Sequence, residues 1–149
     1  MFERIAVGFD GSSQARKACH VASELAGKFH STLTVLSVRP PGQAGTDGYL
    51  ESLVPVSEGG ESMGNVVDMI RGKAIASGAL AVNSAILQGE VIAALLEWLK
   101  GHPQDLFVVG TRGLSRSRRL LLGSVSSAMA TEAPCPVLVV RSPHLRIRA

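Results

Sequence analysis

The sequence predicts an α/β fold: a doubly wound, five-stranded parallel sheet with helices on both faces. Three observations carry that expectation. Five short apolar segments rich in β-branched residues recur along the chain. Stretches with apolar residues at helical spacing lie between them. Several of the five are nearly continuous apolar runs rather than alternating ones, as strands covered on both faces require. Strands alternating with helices in sequence favour parallel pairing through crossover connections.

The elements follow in order. Residues 5–9 read as the first strand, and Ala15, Ala18, Ala22, Leu25, Ala26 and Phe29 then recur at steps of a first helix. Residues 33–38 form the second strand. Residues 40–61 (PPGQAGTDGYLESLVPVSEGGE) break the rhythm with Gly and Pro. They are expected to be a long loop rather than an interdomain linker, because neither flank is large enough to fold alone. Val67, Ile70 and Ala74 mark a second helix, 82–87 a third strand, and Ile92, Leu95, Leu96 and Leu99 a third helix. Leu106–Gly110 is the fourth strand. Ser124–Glu132 fits a short fourth helix that stops before Pro134, since proline disfavours a helical predecessor. Val137–Val140 is the last strand.

With 149 residues the chain suits a single domain, 1–149, large enough to bury a core without a disulfide or metal staple. Aromatic residues make up only 4%, too few for a base-stacking platform, so nucleic acid is not the expected partner. The net charge of +3 hides an asymmetry: residues 1–105 carry eight Lys/Arg against eleven Asp/Glu, and residues 106–149 carry seven against one. An anionic ligand is therefore sought first in the basic end. The opening Met1-Phe2-Glu3-Arg4 has no signal-peptide pattern, and no apolar run approaches the roughly 20 residues of a membrane span. Cys19 and Cys135 are isolated and read as thiols of a reducing cytoplasm, the expected location. His20, His30, His102 and His144 show no metal-ligand spacing, and packing accounts for Trp98.

Two segments carry chemistry. Gly110-Thr111-Arg112-Gly113, nine residues, then Gly123-Ser124 runs from the end of the fourth strand to the start of the fourth helix. Ligands of open α/β sheets bind beyond the carboxyl ends of strands, and free N–H groups at a helix start attract anions. Arg112, Arg116, Arg118 and Arg119 supply guanidinium groups suited to a polyphosphate. The competing reading is a solvated basic loop whose glycines only make turns. The second segment is Asp10-Gly11-Ser12-Ser13, where the carboxylate either accepts from ribose or adenine or simply supports the turn into the first helix. If strands 1 and 4 are neighbours, both segments border one crevice. The sequence has no GxxxxGK[ST], GxGxxG or GxSxG motif.

In IAVGFDGS, LTVLSVRP, LQGEVIAAL and above all GTRGLSRSRRLLLGSVSSAMATEAPCPVLVVR (110–141), the chain resembles the universal stress protein family along nearly its whole length. The complete G-x2-G-x9-G-[ST] pattern is similar to that of the family's ATP-binding branch. The resemblance implies a Rossmann-like sheet of order 3-2-1-4-5. It implies adenosine held by Asp10, Gly8, Phe9 and Val38, and ribose and phosphates held by Gly110, Arg112, Gly113, Gly123, Ser124, Val125 and Ser126. It also implies ATP, AMP or ADP, with magnesium or manganese, and a homodimer paired through 137–141. That segment would otherwise be an apolar edge strand left open. Phe9 departs from the family's smaller residue or proline; its ring either narrows the adenine pocket or enters the core.

The expected function is therefore a nucleotide-dependent regulatory protein of the stress response, with an unidentified protein partner and no catalytic residue. The alternative is a slow ATPase or phosphotransferase using the same site. Fast phosphoryl transfer needs a positioned metal and a group orienting the nucleophile, and carboxylates near this site are scarce.

Overall fold

β1 (Arg4–Gly8) explains the sheet around it. Ile5, Ala6 and Val7 are all fully buried, which a strand achieves only with both faces covered. The computed structural model describes residues 1–39, 63–111 and 123–141, so the expected loop at 40–61 lies outside the described residues. After β1 come α1 (Ser13–Phe29), β2 (Thr32–Arg39), α2 (Met63–Ser77), β3 (Ala81–Gln88), α3 (Val91–Gly101), β4 (Leu106–Gly110), α4 (Ser124–Glu132) and β5 (Val137–Val140). The strands lie in the order β3-β2-β1-β4-β5, and the pairings are parallel. Ile5 lies beside Leu33 of β2 and Leu106 of β4. The expected fold class and strand order are both observed.

Two apolar layers cover the sheet. Ile5, Val7, Leu33, Val35 and Val108 face Ala18 and Ala22 of α1 and Val66 and Ile70 of α2. Ala6, Leu36, Phe107 and Val109 face Leu95 and Leu99 of α3 and Met129 of α4. The alanine stripe of α1 lets that helix lie close on the sheet, where larger side chains would hold it off. Successive strand residues point to opposite faces, so Val7 and Phe107 enter different layers.

Helix ends follow local chemistry. Ser12 caps α1, its hydroxyl accepting from the Ala15 amide at 3.0 Å. Glu90 caps α3, accepting from the amides of Ile92 and Ala93. At the opposite end of the sheet, one Asp105 oxygen accepts from the amides of Glu3 and Arg4, both at 2.9 Å. This ties the start of β1 to that of β4 and explains why β1 begins one residue earlier than its apolar run suggests.

Candidate functional site

The site is built where strands end. β1 stops at Gly8, and the chain turns through Phe9, Asp10 and Gly11 into α1. Gly11 has φ +90, which favours glycine. Asp10 is exposed, and its Oδ1 accepts from the Ser12 amide at 2.9 Å. The carboxylate is thus oriented by a local turn while still facing solvent. Phe9 resolves its two alternatives: its ring is 4% exposed and belongs to the core layer with Val7 and Ala15. Its amide donates to the Leu36 carbonyl, so the Phe9 side chain serves packing. Val38 sits near the end of β2, half-buried against the other layer.

β4 ends at Gly110, which closely approaches α1. A Cβ there would lie 3.0 Å from the Gln14 carbonyl oxygen and 3.3 Å from its Cβ. Thr111, 6% exposed, follows as a junction. Its amide donates to Val140 at 3.0 Å, and its hydroxyl donates to Gln14 Oε1. Its carbonyl accepts from the Gly123 amide and, at 2.7 Å, from the Ser126 hydroxyl. The residues on either side of 112–122 are therefore joined directly. Arg112, Gly113, Arg116, Arg118 and Arg119 lie outside the described residues.

α4 begins after Gly123, a cap without a side-chain hydrogen bond to the helix. The amides of Ser124, Val125 and Ser126 make up its first turn, where N–H groups lack intrahelical acceptors and the helix dipole is positive. The Ser124 side chain is exposed, Val125 is half-buried, and Ser126 is 1% exposed. The Ser126 hydroxyl is used internally, on the Thr111 and Gly123 carbonyls.

Because β1 lies between β2 and β4, Gly8, Phe9, Asp10, Val38, Gly110 and the start of α4 border one end of the sheet. The connections leaving the neighbouring strands β1 and β4 run to opposite faces, through α1 on one and α4 on the other, the geometry that opens a ligand crevice in doubly wound sheets. The arrangement offers a carboxylate for hydroxyl donors and helix amides for an anion. Among the described residues no group of three or more His, Cys, Asp or Glu is placed to hold a metal ion. Gln14 and Thr111 were not among the residues expected to matter. Thr111 lay inside the glycine pattern, whereas Gln14, 97 residues away in sequence, gave no local signal.

Cys19 lies in α1 near this end. Burial, reinforced by the Asp10 charge and partly offset by Arg16, pushes its thiol up to about 12. Burial and the Asp105 charge also raise the Cys135 thiol.

The model described as the universal stress protein family matches residues 1–141. A Thermus aquaticus protein named "Universal stress protein in QAH/OAS sulfhydrylase 3'region" is 35% identical over 144 residues, covering 95% of this chain and 100% of the relative. Universal stress protein YxiE of Bacillus subtilis is 31% identical over 155 residues, covering 95% and 100%. A crystal structure of a universal stress protein in complex with cAMP has a TM-score of 0.76 and 26% identity, covering 95% of this chain and 99% of that one.

Proposed function

Because the chain belongs to the universal stress protein family, we propose that it is an ATP-binding regulatory protein of the stress response. The observation that carries this reading is the pairing of unlike chemistries across one crevice. Asp10 is oriented beside the end of β1, and the glycine-capped start of α4 lies beyond β4. A nucleoside suits the first and an anionic phosphate the second. The cAMP bound to a relative at 26% identity supports an adenine nucleotide as the ligand.

Gly8, Phe9, Asp10 and Val38 would hold adenosine, Phe9 through its backbone because its ring is in the core. Gly110, Gly123, Ser124, Val125 and Ser126, with Arg112 and Gly113 contributed by sequence, would hold ribose and phosphates. For Ser126 the backbone amide is the available group, its hydroxyl being bonded to Thr111. A magnesium or manganese ion would arrive with the phosphates.

Regulation, rather than turnover, is supported by the acids that follow strand ends. Among the described residues these are Asp10 and Glu90, and both accept amides of their own turns. Neither is arranged to orient a phosphoryl acceptor. A homodimer through 137–141 would cover the apolar outer edge of β5, whose Val137, Leu138 and Val139 are half-buried in the single chain.

Denaturing purified protein and identifying released small molecules by mass spectrometry tests the reading. An adenine nucleotide is expected. Recovery of none, together with no binding of added ATP, ADP or AMP, would overturn it.

A further inference from the structure

Thr111 makes hydrogen bonds to three parts of the molecule. Its hydroxyl reaches Gln14 in the first turn of α1, and its amide reaches Val140 at the end of β5. Its carbonyl receives the Gly123 amide and the Ser126 hydroxyl at the start of α4. On the other side, Gln14 follows closely on the turn in which Asp10 accepts from Ser12 and Ser12 caps α1. A continuous path of short bonds and one helical turn thus runs from the Asp10 carboxylate to the first amides of α4. The missing side chain of Gly110 permits it, because a Cβ there would press on the Gln14 backbone.

We propose that Gln14 and Thr111 are positioning residues, whose hydrogen bond sets the separation between the Asp10 turn and the start of α4 and so favours phosphorylated over unphosphorylated nucleosides. The inference rests on the nucleotide reading above. Adenosine is anchored on the Asp10 side and reaches the other side through its ribose alone, whereas ATP must also set its phosphates on the first amides of α4. A change in the separation therefore acts on ATP and largely spares adenosine. The bond is side chain to side chain, so removing it leaves the backbone links of Thr111 to Val140 and Gly123 in place.

The test compares ATP and adenosine affinities of the wild type with Gln14→Ala, Thr111→Val, their combination and Thr111→Ser. Thr111→Val preserves shape without the hydroxyl, and Thr111→Ser restores the donor. Each of the first two variants should weaken ATP about fivefold, the scale of one net hydrogen bond, and leave adenosine within about twofold. The combination should be no weaker than either alone, and Thr111→Ser should match the wild type. Unchanged ATP affinity, equal losses for both ligands or additive losses would overturn the proposal.

Amide hydrogen exchange provides a readout without ligand. The Gly123 amide should exchange faster in Thr111→Val and Gln14→Ala than in the wild type and Thr111→Ser. Equal exchange in all four would overturn the coupling. If the wild type bound neither ligand, the nucleotide reading and the proposed selectivity would both fall, while exchange would still decide the coupling.

Discussion

The Ser126 hydroxyl donates to the Thr111 carbonyl across 2.7 Å, joining the first turn of α4 to the residue just beyond β4. The bond is buried, and the Gly123 amide shares the same acceptor. Ser126→Ala should therefore lower stability by about 1 kcal/mol, seen as an earlier urea midpoint. Two positions away, Ser124 is exposed. Ser124→Ala should leave the midpoint nearly unchanged yet weaken ATP. The reverse pattern would exchange the structural and ligand roles of these serines.

Asp10 can be tested with its local bond kept. Asp10→Asn retains an oxygen for the Ser12 amide but removes the negative charge. Stability should change little, while affinity for ATP and adenosine alike falls about tenfold or more, as expected when a charge-assisted hydrogen bond is lost. Calorimetric titration checks this, and equal affinities would confine Asp10 to the turn.

Gly110 is constrained by backbone rather than by a movable side-chain tip. Gly110→Ala places a methyl group 3.0 Å from the Gln14 oxygen, forcing β4 and α1 apart. The expected cost is about 1–3 kcal/mol, typical of overpacking, measurable by chemical denaturation. A variant as stable as the wild type would show that this approach relaxes freely.

Cys19 predicts an alkaline limit. Its thiol ordinarily ionises near 9.0 but near 12 in the folded chain. Folding therefore favours the neutral thiol, and its contribution is complete below 9.0 and falls as pH rises towards about 12. Wild-type stability should drop more steeply across this window than that of Cys19→Ala. Parallel profiles would contradict the assignment. At neutral pH the native thiol should also resist alkylation, because the thiolate is the reactive form.

The strands and helices were legible because burial writes itself into local pattern. Leu106–Gly110, Ser124–Glu132 and Val137–Val140 coincide with their sequence limits. β1 shifts to Arg4–Gly8, pinned at its start by a distant aspartate and ended by the Asp10 turn. β2 and β3 run one residue further at each end than their apolar cores, because their mutual pairing continues from Thr32 beside Ala81 to Arg39 beside Gln88. Strand order is non-local and entered only through resemblance. Phe9 was decidable in retrospect, since it shares the alternation of Ile5 and Val7 into one layer. The Gln14–Thr111 bond was not, because neither residue type marks its partner across 97 positions.

Calorimetric titration of ATP into ligand-free protein, repeated with the Asp10→Asn/Ser124→Ala double variant, measures nucleotide binding at the crevice between the Asp10 turn and α4. Saturable binding of a single nucleotide per chain is expected, lost or greatly weakened in the double variant. No saturable binding to the wild type, or equal binding by both proteins, would rule out a nucleotide site in this crevice.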